Sequence, residues 1–163
     1  MESLYQMADD ARLYAFAASR ELVAAEVATL SAEVAMFIRG WQSHREKVTA
    51  AHEIREGRFL LIGIDETQTA LSGCSIDGLV RNIRGLESRL GVTFVGGDAV
   101  YYRDAGAVLR TTRSGFRELA RAGKIGPETS VFDLTIVRIG DFRDGRLEVP
   151  LRESWHPKLV LSE

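Results

Sequence analysis

An α+β fold with antiparallel strands is predicted by three features of the 163-residue sequence. Two segments carry apolar residues at alternating spacings of three and four, the period of one helix face. Short apolar runs bounded by Gly, Asp and Ser fall before, between and after those segments. The resulting order, strand–helix–strand–strand–helix–strand, is that of the ferredoxin-like βαββαβ arrangement, an antiparallel sheet with both helices on one face.

Arg12 to Ala18 (RLYAFAA) is mostly apolar and suits a buried strand. Val23, Val27, Leu30, Val34, Phe37 and Trp41 then recur on one side of a helix, with Glu21, Glu26, Glu33 and Arg39 turned elsewhere. Gln42 to Lys47 is polar and turn-like, with His44 closing the first helix. Val48 to Ile54 and Arg58 to Ile64 (RFLLIGI) read as two strands, and Glu56-Gly57 between them as a tight hairpin, since Gly accepts positive φ. Asp65 to Gly73 lacks periodicity and reads as a loop.

Ser75 is the expected N-cap of the second helix, with Asp77 in its first turn. Ile76, Leu79, Val80, Ile83, Leu86 and Leu90 form its apolar stripe, and Gly91 stops it. Val92 to Val95 and Ala99 to Arg103 are strand-like, Asp104 to Gly106 a turn, and Val108 to Thr111 a returning strand. In the last third, Ser114 is expected to cap a short helix through Phe116, Leu119 and Ala120, stopped by Gly123. A strand around Ser130 to Ile139, a turn at Asp144-Gly145 and a tail ending Ser154-Trp155-His156-Pro157 follow. With no Pro-, Gly- or Ser-rich linker, the whole of 1–163 reads as one domain.

Composition bounds the function. A 45% apolar and 27% charged chain of net charge −2 exposes no overall field for nucleic acid or an anionic membrane. The acidic N-terminal stretch argues against a signal peptide, and no run approaches the ~18 apolar residues of a membrane span. A cytoplasmic, soluble protein is expected. The single cysteine, Cys74, permits no intrachain disulfide or CxxC pair and suits a reducing compartment. His44, His52, His156 and Cys74 show no pair at ligand spacing, so neither a metal nor a cofactor is expected; His52, beside Glu53 in a strand, should face solvent.

The Cys74 segment is the candidate site. Ser72, Gly73, Ser75 and Asp77 place the thiol in a loop opening a helix, where backbone amides and the helix dipole favour an anion. A thiolate there would be a nucleophile, with His44 or His156 as base and Asp65 or Glu66 orienting it. The same amides suit a small anionic ligand without covalent chemistry. A buried cysteine packing as a small hydrophobe is the plain alternative.

Arg113, Arg117, Arg121 and Lys124 recur at helical spacing and Arg81 and Arg84 add a pair, yet no aromatic platform interleaves, so this reads as a solvated face. Trp41 belongs to the first helix's apolar stripe. Trp155 either pins the tail to the sheet or lines a recognition groove.

Trp41-x-x-His44, Arg58-Phe59 with Asp65-Glu66, Ser72-Gly-Cys-Ser-Ile-Asp77, Glu148-Val-Pro150 and Ser154-Trp-His156 occur in order along nearly the whole chain. In these motifs it resembles a family of uncharacterised small bacterial proteins commonly labelled "ABC transporter ATPase". A P-loop needs GxxxxGK[ST]. The only Gly-Lys, Gly123-Lys124, precedes Ile125 and lacks the upstream glycine, so ATPase activity is not expected. Phe116-Arg-Glu-Leu119, Gly123-Lys-Ile125, Pro127-Glu-Thr129 and Val131-Phe132 resemble the helix–turn–strand part of bacterial GYF-like domains, without the Gly-Tyr-Phe signature. That resemblance divides the domain into a ferredoxin-like portion, 1–111, and a GYF-like extension, 112–163, and implies binding of a protein or peptide segment. The function expected is a non-catalytic binding or regulatory module for a protein segment or small anionic ligand; the alternative is a thiol-dependent enzyme using Cys74. An exposed edge strand could also pair two copies as a homodimer.

Overall fold

The computed structural model describes residues 3–161. In chain order the strands are β1 (Arg12–Ala17), β2 (Gln42–Ser43), β3 (Glu46–Lys47), β4 (Thr49–Arg55), β5 (Phe59–Asp65), β6 (Ala99–Asp104), β7 (Ala107–Thr112), β8 (Ser130–Phe132) and β9 (Glu148–Pro150). The helices are α1 (Ala24–Gly40), α2 (Gly73–Leu90), α3 (Arg113–Arg121), α4 (Ile139–Arg143) and α5 (Pro157–Leu161). The sheets are antiparallel and the class is mixed α and β. The chain folds as two compact units. One takes the chain up to Gly96 together with Ile136–Asp144; the other takes Gly97–Thr135 and the chain from Gly145 onward.

In the first unit β5 is the central strand of the order β1-β5-β4. Its all-apolar run follows from that place, because both faces are covered and Phe59 to Ile64 are all buried. The β4–β5 link, Glu56 to Arg58, turns tightly on Glu56 (φ 56°) and Gly57 (φ 58°), with Arg58 N donating to Arg55 O at 2.9 Å. Leu60, Ile62 and Ile64 cluster with Leu30 and Val34 of α1 and Leu79, Ile83 and Leu86 of α2. Burying each of these side chains stabilises the fold by roughly 1.5–3 kcal/mol. On the opposite face, a Cβ added at Gly63 would lie 2.6 Å from Leu4 Cδ2, 2.8 Å from Met7 Sδ and 2.9 Å from Ile139 Cδ1. The N-terminal 3-10 turn Leu4–Gln6 and α4 therefore close that side.

The outer edge of β1 is bordered by two separate pieces of chain. At one end Leu13 N donates to Val137 O at 2.9 Å, Ile139 N donates to Ala11 O at 3.0 Å, and Arg12 stands opposite Arg138. At the other, Ser19 N donates to Thr93 O at 2.9 Å. Val92 to Val95, expected as a strand, forms none. The Glu87 carboxylate accepts from Phe94 N (2.7 Å) and Val95 N (3.3 Å), so those amides are taken. Gly96 and Gly97, at φ 91° and 93°, then turn the chain away. Ala99 to Arg103, expected as the next strand of this sheet, instead becomes β6 of the second unit. The long strand expected from Ser130 to Ile139 also divides: Ser130–Phe132 is β8, whereas Ile136 onward returns to the first unit.

The second unit carries a four-stranded antiparallel sheet in the order β7-β6-β8-β9. Because β6 pairs with β7 and β8 rather than with β1, the boundary between compact units falls at Gly96–Gly97, not after Thr111. Val100, Tyr102, Phe116, Ile125, Val131, Val149, Leu151 and Leu159 form its core. α3 is capped by Thr112, whose Oγ1 accepts from Gly115 N at 3.0 Å, two residues before the expected Ser114. Arg103 grips Glu148 through two bonds of 2.6 and 2.9 Å, which hold that carboxyl below its usual range with help from Ser130.

Candidate functional site

The Cys74 segment is built around three serines. The N-cap of α2 is Ser72, not Ser75: Ser72 Oγ accepts from Ser75 N at 3.1 Å, and Ser75 Oγ accepts from Ser72 N at 2.9 Å. Ser43 donates to Ala70 O at 2.7 Å and accepts from Ser72 N at 3.0 Å, so the β2–β3 hairpin ties down the loop before the helix. Trp41 is buried, as expected, and its Nε1 donates to Ser75 O at 3.0 Å. Gly73 and Cys74 thus lie in the first turn of α2, with Cys74 exposed. The earlier start leaves no acidic residue in the first turn, and Asp77 sits beyond it, exposed.

The bases proposed for the thiol do not assemble around it. His44 does not end α1, which stops at Gly40; it forms the β2–β3 turn with Arg45, both in the left-handed region at φ 53° and 68°. Among the described residues no hydrogen bond joins His44 to Cys74, Asp65 or Glu66. Asp65 Oδ1 accepts from Thr67 N at 2.9 Å, and the Thr67 hydroxyl and amide hold its carboxyl below the usual range. Glu66 is engaged by Arg12, 3.2 Å away. His156 belongs to the second unit and is 1% exposed. Burial pushes its imidazole down to about 4, against the opposing pull of Asp133. His52, expected to face solvent, is half-buried, with Nε2 2.9 Å from Ser31 Oγ; burial lowers its imidazole too.

Trp155 stacks on His156 with ring centroids 4.3 Å apart, and His156 lies 5.9 Å from the Phe116 ring. Ser154 Oγ is 2.9 Å from His156 Nδ1 and Arg113 lies 5.7 Å over the indole. This cluster fixes the C-terminal tail onto α3. Beside it, Ala120, Ile125, Pro127, Leu151, Val160 and Leu161 line an open groove of about 320 Å³ whose walls are almost wholly apolar. Exposed Arg121, Lys124, Arg152 and Lys158 lie on the same chain segments.

The first unit also holds a larger cavity, about 610 Å³, lined by Asp10, Arg12, Tyr14, Asp65, Glu66, Thr67 and Arg138 among others. Of these the sequence singled out only Asp65 and Glu66. Arg12 and Tyr14 were discoverable from the period-two alternation of β1, which puts them on one face. Arg138 carried no such signal, because its strand-like neighbourhood belongs to a segment returning from the second unit.

Compared with protein-family models, with curated proteins and with solved structures, the chain matches none. Among the described residues no three of His, Cys, Asp and Glu converge to hold a metal ion, and no helix is long and apolar enough to cross a membrane. Fold and site together define a two-unit α+β protein with an apolar groove in one unit and a charged cavity in the other.

Proposed function

We propose that the protein is a non-catalytic binding module whose second unit takes an extended apolar peptide segment flanked by acidic residues. The observation that carries this reading is the groove of Ala120, Ile125, Pro127, Leu151, Val160 and Leu161. A concave, mostly apolar lining is the usual character of a recognition pocket. The occupant's chemistry follows from complementarity: apolar side chains for the floor, carboxylates for Arg121, Lys124 and Lys158. The GYF-like resemblance over Phe116–Phe132 supports the same assignment. For the first unit we propose a variant of the ferredoxin-like arrangement in which Thr93 and Val137–Ile139 share the fourth-strand position. A free thiol exposed at Cys74 suits a reducing, cytoplasmic setting.

The test is selection from a displayed random peptide library on the full chain, with a Val160→Asp variant as counter-target. Enrichment of sequences with adjacent apolar and acidic residues, lost on the variant, is expected. No enrichment, or equal enrichment on both, overturns the reading. The exposed thiol favours a second reading, a thiol-dependent enzyme with Cys74 as nucleophile. Iodoacetamide separates the two: a peptide-binding module keeps its selection pattern after Cys74 is alkylated, whereas a thiol-dependent activity is abolished.

A further inference from the structure

The charged cavity of the first unit shares no lining residue with the apolar groove. Arg12 and Arg138 stand directly opposite each other at the single bridge between β1 and the returning segment. Opposite residues of an antiparallel pair share a face a few ångströms apart, and like charges placed there repel. Arg12 is partly neutralised, since its guanidinium meets Glu66 at 3.2 Å and the Tyr14 hydroxyl at 3.2 Å. Arg138 is not. Its one bond among the described residues goes from an NH group to the backbone oxygen of Asp10 at 2.7 Å, and no carboxylate pairs with it.

The same cavity is lined by carboxylates. Asp65 is held by Thr67 through one oxygen, and the Asp10 side chain, exposed, has no partner among the described residues. One concavity therefore presents an unneutralised guanidinium and unneutralised carboxylates together, beside the exposed side chain of Val137. A simple anion would be repelled by Asp10 and Asp65, and a simple cation by the arginine pair. A ligand bearing both charges satisfies both sets.

We infer that this cavity binds a small zwitterion of about dipeptide size, its carboxylate against Arg138 and Arg12, its ammonium against Asp10 and Asp65, and an apolar side chain against Val137. A volume of about 610 Å³ accommodates such a molecule and lies within the range of ligand pockets.

The experiment is a titration of the isotope-labelled full chain with alanyl-leucine, N-acetyl-alanyl-leucine and alanyl-leucinamide at constant ionic strength, read from backbone amide shifts. The expected result is saturable movement of Leu13, Thr67 and Val137 with the free dipeptide. Each blocked form should bind roughly tenfold to a hundredfold more weakly, the loss typical of a charge-assisted hydrogen bond. Arg138→Gln, a change at an exposed side chain, should erase the discrimination against the amide while keeping that against the acetylated form; Asp10→Asn should do the reverse. Equal response to all three probes, movement of other residues only, or no saturation by about 10 mM, weaker than ordinary ligand affinity, overturns the inference.

Discussion

Gly63 lies in the central strand where the N-terminal turn and α4 press onto the sheet. Any side chain there meets Leu4, Met7 and Ile139 at 2.6 to 2.9 Å. All three contacts are with ends of flexible side chains, so the strain can spread but not vanish. Gly63→Ala should cost about 1–3 kcal/mol, the usual range for overpacking. A urea melt should show a lower midpoint at unchanged slope; an unchanged midpoint would mean that this face is loosely packed. His156 gives a pH signature at the same scale. Its folded value, about 4, lies below the ~6.5 of an exposed histidine, so the unfolded chain binds the extra proton between those values. Its contribution is whole above pH ~6.5, is lost as pH falls toward ~4 at up to about 1.4 kcal/mol per unit, and loses no more below. Urea midpoints of wild type and His156→Gln across that window should converge toward acid. Parallel curves would contradict the burial of the imidazole.

Among the elements, the two long helices and the β4–β5 hairpin were legible because their signals are local. Period, Gly stops and a positive-φ pair suffice for them. The start of α2 was not. Ser72 and Ser75 are equally good caps by type, and the choice is settled by Ser43 and Trp41, which contact the loop from distant positions in the chain. The cap is therefore worth more than its local bond suggests. Ser72→Ala should destabilise by about 1 kcal/mol or somewhat more, at the upper part of the range for cap removal. The mirror change Ser114→Ala should cost little, since Thr112 caps α3. Equal losses from the two, measured by thermal melts, would refute the assignment of caps. The failure of Val92–Val95 to form a strand has the same origin: Glu87, seven residues before Phe94, captures the amides that a ladder would have used.

For the whole molecule, the class was legible and the division into units was not. The chain leaves the first unit at Gly96 and returns at Ile136 with no change in composition to mark either crossing. Only Gly96-Gly97 hints at the first. Which sheet receives β6 is decided by pairing with β8, about thirty residues later, and no local pattern encodes that choice. The candidate sites divide in the same way. Cys74 was visible as a residue type, and its exposure could not be read. The groove and the charged cavity each gather side chains from three or more separate segments, so neither has a linear signature.

The central claim is that the second unit's groove is a peptide-binding surface. The most direct measurement is an amide-shift titration of the full chain with a library-selected apolar–acidic peptide. Saturable movement centred on Ala120, Ile125, Leu151 and Val160, abolished by Val160→Asp in a protein that still melts cooperatively, is the predicted result. Shifts confined to residues outside the groove, or undiminished in that variant, would contradict it.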